Sequence, residues 1–464
     1  MDGKQLYESG KMLLEQAERI GNPEDFRQAA KMLKEAAEAG YPEAQFLLGN
    51  CYADGIGVSR NLIKAAAFWG KAVRQDYAPA MEKFKADIPL IRTLANAYQH
   101  GLEIGEDLPE ACYWWEQGVQ QGDAESCYQF GKLLYLGQGI SQDTERAVLL
   151  LEKAVDASYE PAEAELAKPE IPYHLALAYL SGRQVGLDAA KGLAYLQRAI
   201  VLGSVDALYE MGCRQLDGRN VARDELGGAL KIERAAQRGH AEAVSLMERA
   251  SILCALGKAY QSGYQDTEKD LQKAAGYFEK ASSSNDQEAM FYWAECLYGG
   301  LGVAENKEKA ARFFEMSADF GFEPAKIKLQ QDSRIWRILG DSCAKYEEWE
   351  KAYRCWLQCA VDDMDAKRKL AELLWEGRGC PVNRHRAIRI WEEHSQEQDW
   401  ANKKIQESEV LYELGMLYIW GDETEYCQRD HAKAVGYLKR SSEMQYPPAI
   451  YRLGSLLFDD GNRL

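Results

Sequence analysis

The residues of this 464-residue chain that could work on a substrate or hold a metal are numerous, but their spacing argues against each such use in turn. Eleven cysteines are present without a C-x-x-C pair, and His100, His174, His240, His385, His394 and His431 do not stand at zinc-ligand intervals from any of them. The odd count leaves at least one thiol unpaired within the chain, which fits a reducing compartment. Cys355 and Cys359 lie one helical turn apart with Cys343 on the expected partner helix; a redox link there is conceivable, and buried thiols packed as small hydrophobes are the plainer reading. Gly55-Ile-Gly57, Gly137-Gln-Gly139, Gly300-Leu-Gly302 and Gly377-Arg-Gly379 resemble phosphate-cradling loops, but no strand precedes them and no third glycine opens a helix. They read instead as inter-helix turns that need positive φ. None of the Gly-Lys pairs is followed by Ser or Thr, and neither an H-E-x-x-H nor a G-x-S-x-G motif occurs. Adjacent acids such as Glu347-Glu348 and Asp362-Asp363 point to different sides and do not converge as an acid/base pair. Tyr113-Trp114-Trp115 and Phe291-Tyr292-Trp293 read as glue between helices, ahead of a ligand-stacking platform. The sequence thus calls for no catalysis, cofactor or metal.

The elements that would position these residues are helices, repeated. The phrase small-x-aromatic-x-Leu-Gly-x-x-Tyr recurs down the chain, clearest at Ala44 to Tyr52, Ser126 to Leu134, Ala207 to Gln215 and Ala449 to Leu457. Its glycine, or the alanine replacing it, gives twelve anchors that number the repeats: Gly10, Gly49, Ala95, Gly131, Ala176, Gly212, Gly257, Ala294, Gly340, Ala371, Gly415 and Gly454. Their spacings run 39, 46, 36, 45, 36, 45, 37, 46, 31, 44 and 39, so long and short alternate. The extra residues of the long repeats fall at Pro79 to Asp87, Pro161 to Lys168, Ala241 to Arg249, Pro324 to Gln331 and Ala401 to Glu407, and read as an added helical turn or two. The implied organisation is one domain, 1–464, with a two-repeat superunit of about 81 residues. Within a repeat the apolar residues keep helical period, as in Ala44, Leu47, Leu48 and Cys51, then Ala65, Phe68, Trp69 and Ala72. The second helix pairs a small residue with a bulky one a turn later: Ala65 with Trp69, Ala111 with Trp115, Ala274 with Phe278, Ala310 with Phe314, Ala352 with Trp356 and Ala387 with Trp391.

The run from Ala44 to Val58 followed by Lys64 to Ala72 closely resembles the Sel-one-like repeat, a cousin of the tetratricopeptide repeat. The resemblance covers nearly the whole chain and is strongest in repeats two, four, eight and ten. Repeat nine, through Gly340, Ala352 and Trp356, looks more like a tetratricopeptide repeat and lacks the Gly-x-Gly loop. Membership implies an all-α fold, a right-handed α/α superhelical solenoid of about eleven helix-pair repeats plus a terminal half repeat, with first helices lining the concave face. It further implies an adaptor in protein complexes and no catalysis.

Composition fits that picture. With 46% hydrophobic residues the bulk of the chain can build a core, no apolar stretch is long enough to span a bilayer, and the segment from Met1 to Gly10 is too polar for a signal peptide. A net charge of -17 repels phosphate backbones, so a nucleic-acid partner is not expected. The leading expectation is a non-enzymatic scaffold in the cytoplasm gripping a partner protein in its concave groove, and the family resemblance implies its narrower form, a bacterial adaptor. The alternatives are an inhibitor or immunity protein neutralising a partner enzyme, and an enzyme with an unrecognised groove site. Three residues before the anchor the side chain is aromatic in eight of twelve repeats, and the exceptions are Arg92, Cys254, Arg337 and Arg368. From Met364 to Trp391 seven basic residues face three acidic ones, a local reversal of sign. Two readings follow: a surface balancing acids on neighbouring repeats, and a site for an acidic partner segment formed by Arg334, Arg337 and Arg368, with Trp375 and Tyr298 as apolar anchors. The last copy stops at Asp459-Asp460-Gly461-Asn462 without a second helix, and Leu453, Leu456, Leu457 and Phe458 leave that end apolar, a surface for a homo-oligomer.

Overall fold

The computed structural model describes residues 3–85, 87–421 and 429–461. Among them it contains 28 helices and no strand, an all-α solenoid of antiparallel helix pairs. The chain divides into two compact bodies, one built from Met1–Arg214 and Gly218–Ala222, the other from Gln215–Asp217 and Arg223–Leu464. The last helix, Pro447–Gly461, is the first helix of repeat twelve; Asn462, on which the reading of a half repeat closes, lies outside the described residues. On that helix Leu456 is buried while Leu457 and Phe458 are exposed.

Local chemistry sets the helix ends. Most second helices start at an Asp or Asn whose side chain accepts the N–H three residues on, as Asn61 does from Lys64 and Asp270 from Lys273. Repeat nine departs: its second helix, Trp349–Cys359, begins at Glu348 without a side-chain cap. The Gly-x-Gly turns show why two glycines are needed. Gly55 closes the helix Pro42–Asp54 in the left-handed conformation, at φ 76°. Gly57, also at positive φ, lies against the preceding repeat, where a Cβ would stand 2.0 Å from the Phe26 carbonyl oxygen.

Packing in each body follows the small-and-large pairs. In the first, Ala65 with Trp69 and Ala111 with Trp115 are buried; in the second, so are Ala274 with Phe278, Ala310 with Phe314, Ala352 with Trp356 and Ala387 with Trp391. Each such aromatic contributes about 1.5–3 kcal/mol of burial relative to exposure. The added segments of the long repeats are short helices: Ala78–Lys85, Glu160–Leu166, Ala241–Leu246, Glu323–Gln331 and Asp399–Ile405. Four turn two side chains inward one turn apart, Ala80 with Phe84, Ala162 with Leu166, Ala325 with Leu329 and Ala401 with Ile405, and in the fifth Ala243 is joined by the partly buried Met247 at the helix end. They act as wedges between a second helix and the next first helix.

Candidate functional site

At three anchors the glycine lies directly under an aromatic ring, whereas Gly10, Gly131 and Gly415 lie under a leucine. A Cβ on Gly49 would stand 2.3 Å from Trp69 Nε1, one on Gly340 2.5 Å from Trp356 Nε1, and one on Gly257 2.4 Å from the Phe278 ring. With the ring pressed down, the indole N–H of Trp69 reaches the Phe46 carbonyl and Asn50 Oδ1, both at 3.1 Å, and that of Trp356 reaches Asp341 Oδ1 at 3.0 Å. Over the alanine anchor Ala95, Trp115 still reaches Gln99 at 2.7 Å, whereas Trp391, over Ala371, finds no hydrogen-bond partner for its indole.

The aromatic three residues before the anchor has a defined neighbour, the residue just before a following helix. Tyr7 meets Tyr41, Phe46 meets Tyr77, Tyr128 meets Tyr159, Phe291 meets Phe322 and Tyr412 meets Tyr446, with ring centroids 5.4 to 5.6 Å apart. Two arginine exceptions keep this geometry and change its chemistry. Arg92 forms a forked ion pair with Asp123, and Arg337 pairs with Asp363 at 3.0 Å; both aspartates cap the first helix of the following repeat. Each guanidinium also reaches the acid two residues on, Glu125 at 3.0 Å and Asp365 at 3.9 Å. An aromatic pair has become an arginine–aspartate pair. Arg368 lacks that option, because Gln398 stands before the next helix, and it turns back to Asp365 on its own helix at 2.9 Å.

The candidate residues therefore fall into three sets. Arg334, mostly exposed on the helix Ser333–Lys345, pairs with Asp332 at 2.8 Å, and the Tyr298 hydroxyl donates to the same carboxylate at 3.1 Å. The hydrogen bonds from Arg334 hold the Asp332 carboxyl below its ordinary range. Arg337 and Arg368 converge on Asp365, joined by Lys369, which bridges Asp365 at 2.7 Å and Asp341 at 2.8 Å. Burial alone would raise the Asp365 carboxyl, but hydrogen bonds from Lys369 and Arg368 outweigh it and hold it low. Trp375 belongs to a third set: its ring lies 5.3 Å from that of Trp391 with the Arg384 guanidinium 4.9 Å away, and Arg384 is paired with Glu409 and Glu413.

The basic run from Met364 to Trp391 is thus balanced from outside itself, Lys369 by Asp341 and Arg384 by Glu409 and Glu413. Sequence reasoning met Asp363, Asp365 and Lys369 only as acids and bases along the chain and did not single out Asp341, although these four tie the arginines together. The signal was available: where arginine replaces the aromatic at repeats three and nine, an aspartate caps the first helix that follows. Elsewhere, the ten described cysteines are all free thiols. Among the described residues no cluster of His, Cys, Asp or Glu is arranged to hold a metal, and no helix is long and apolar enough to cross a membrane.

Comparison with known proteins gives this arrangement its family. The Sel1 repeat profile matches ten stretches, residues 6–41, 42–77, 94–123, 124–159, 173–204, 205–230, 252–286, 287–321, 365–393 and 408–446. The chain belongs to the Sel1 repeat family. Repeat nine and all five wedge helices fall between the matched Sel1 repeats. Among solved structures, the chain is similar to a protective antigen of uropathogenic Escherichia coli strains that displays an SLR fold, at 20% identity over 92% of this chain and 89% of that one, with a TM-score of 0.24. It is also similar to a Sel1 repeat protein from Oxalobacter formigenes, at 24% identity over 71% of this chain and 86% of that one, again with a TM-score of 0.24. A curated relative, DAP3-binding cell death enhancer 1 of Rattus norvegicus, is 39% identical over 61 residues, which are 13% of this chain and 12% of the relative. The chain matches about an eighth of that relative's length. Sel1 repeat proteins are in general non-enzymatic scaffolds for protein–protein interaction.

Proposed function

We propose that this Sel1 repeat protein is a non-enzymatic adaptor that holds an acidic segment of a partner protein on the first helices of repeats eight to ten, with Arg334, Arg337 and Arg368 as cationic contacts and Tyr298 and Trp375 as flanking anchors. The observation that carries the reading is the pairing of these arginines with carboxylates at half-exposed positions on one run of helices. Exposed ion pairs gain little over their hydrated partners, so an incoming carboxylate exchanges with Asp365, which keeps Lys369, at small cost. The guanidinium fork then supplies orientation. A bare cation would have to be desolvated first; a paired one is already oriented, and the partner's acid takes over an existing geometry.

The test starts with affinity capture on the full chain, identification of a stoichiometric partner, and reconstitution of the complex from purified components. Arg334→Glu combined with Arg368→Glu is then expected to weaken that complex at least about tenfold, with helical circular dichroism unchanged. Arg337 is left intact because it also ties repeat nine to the cap of repeat ten. Undiminished affinity in the double variant removes these residues from the interface.

A further inference from the structure

Where a wedge helix intervenes, the second helix of an even-numbered repeat faces the next helix pair with side chains at one fixed register, and the five joints can be compared directly. Repeat four presents Glu152 and repeat six presents Glu233, each only 4% exposed. Glu152 accepts hydrogen bonds from Tyr179 and Tyr195, with Lys191 2.8 Å away. Glu233 accepts from Tyr260 and Tyr277, with Lys273 5.0 Å from the Tyr260 ring. The two rings of each pair stack at 6.1 and 5.9 Å. Glu392 repeats the design: it accepts from Tyr418, whose ring stacks on Tyr437 at 5.8 Å under Lys433. At the first joint the glutamate position is Gly70 and Trp114 fills the space, so close that a Cβ on Gly70 would stand 2.9 Å from its ring.

One joint is built otherwise. Glu315 of repeat eight keeps its lysine, Lys351 at 2.7 Å, but the two tyrosine positions are Cys343 and Cys355. Two phenols are missing there, with their hydrogen bonds and their volume. The Glu315 side chain is 17% exposed, against 5% for Glu152, and a cleft of about 550 Å³ opens beside it, lined among others by Glu315, Leu329, Trp336 and Asp362.

We propose that this thiol joint, between the helix Lys307–Asp319 and the pair Ser333–Lys345 with Trp349–Cys359, is the hinge of the second body, opening at a cleft whose carboxylate no phenol pins, unlike the carboxylates of the joints after repeats six and ten. A hydrogen bond to a buried carboxylate is among the stronger contacts a joint can make, and stacked rings exclude the water that would replace it. Absent both, opening costs less, and the segment carrying Arg334 and Arg337 moves with it.

The buried thiols report such opening in the intact protein. Under native conditions, alkylation by iodoacetamide followed peptide by peptide is expected to modify Cys343 and Cys355 about tenfold or more faster than Cys254, on the pinned helix Ala250–Ser262, and Cys296, on the helix Gln287–Gly299, both equally buried. Burial pushes Cys355 and Cys254 up to about 12 alike, so their ratio reads opening rather than acidity. Removing the two hydroxyls of the neighbouring pin, with Tyr260→Phe and Tyr277→Phe, should raise the rate at Cys254 about tenfold and leave Cys355 unchanged. Equal rates for the four thiols in the unaltered protein, or a Cys254 rate indifferent to the paired substitution, would overturn the hinge.

Discussion

Substituting Gly49 by alanine tests the seam at its tightest point. In an isolated helix this change stabilises by about 1 kcal/mol, because alanine loses less backbone entropy. Here the added Cβ would lie 2.3 Å from Trp69 Nε1 and 2.4 Å from Cδ1, well inside contact distance. The ring has nowhere to go: Trp69 is 5% exposed, and its N–H is held by Phe46 and Asn50. Overpacking a filled core costs about 1–3 kcal/mol. Lifting the indole off its acceptors strands a buried donor for about 1–3 kcal/mol more. Propensity therefore loses, and Gly49→Ala should destabilise by about 3 kcal/mol, read by urea denaturation with tryptophan fluorescence. Gly49→Ala with Trp69→Phe should cost clearly less than the two single variants summed, because a smaller ring without a donor has room to shift. A Gly49→Ala protein as stable as the unaltered one would mean that the ring does not rest on the anchor and that the small residue there is a matter of helix propensity alone.

Three further outcomes follow. Arg92→Ala leaves Asp123, 6% exposed, without its guanidinium, and should cost about 1–3 kcal/mol after discount for the half-exposed arginine, while Arg92→Tyr with Asp123→Tyr, which installs the aromatic pair of other repeats, should recover most of it by urea denaturation. Burial would raise the Asp123 carboxyl, but bonds from Arg92 and Ser126 hold it below its ordinary range, so its contribution is present above about pH 4 and is lost as pH falls through the lowered value; Asp123→Asn should flatten that acid arm in a titration of helical signal. Gly57→Ala should lower the melting temperature by several degrees, because its Cβ would meet the Phe26 carbonyl at 2.0 Å, whereas Gly105→Ala, with nothing within 4 Å, should leave it unchanged.

Much of the fold was legible because its signals are local. The anchor, the small-and-bulky pair and the Gly-x-Gly turn each lie within a few residues, and each answers to a contact or a dihedral. The wedge helices were legible as extra length, although nothing in the alternation of spacings says that they turn Ala80 with Phe84, or Ala325 with Leu329, inward. The charge pattern was harder. Arg337 finds Asp363 and Lys369 finds Asp341, partners 26 and 28 residues away, so a count taken along one stretch of chain registers an excess that the neighbouring repeats cancel. Repeat nine illustrates the same gap: its missing glycines are visible, but the absent cap at Glu348 and the positive φ of 63° at Glu347 appear only when the turn is built.

The second glycine of each Gly-x-Gly turn has a bearing on how the chain assembles. Gly57 rests on the backbone at Phe26, Gly139 at Leu108, Gly302 at Leu271 and Gly379 at Trp349, in every case the start of the second helix of the repeat before. The contact always points back toward residues already synthesised. A chain leaving the ribosome N-terminus first therefore has the seat of each such turn already synthesised when the turn forms.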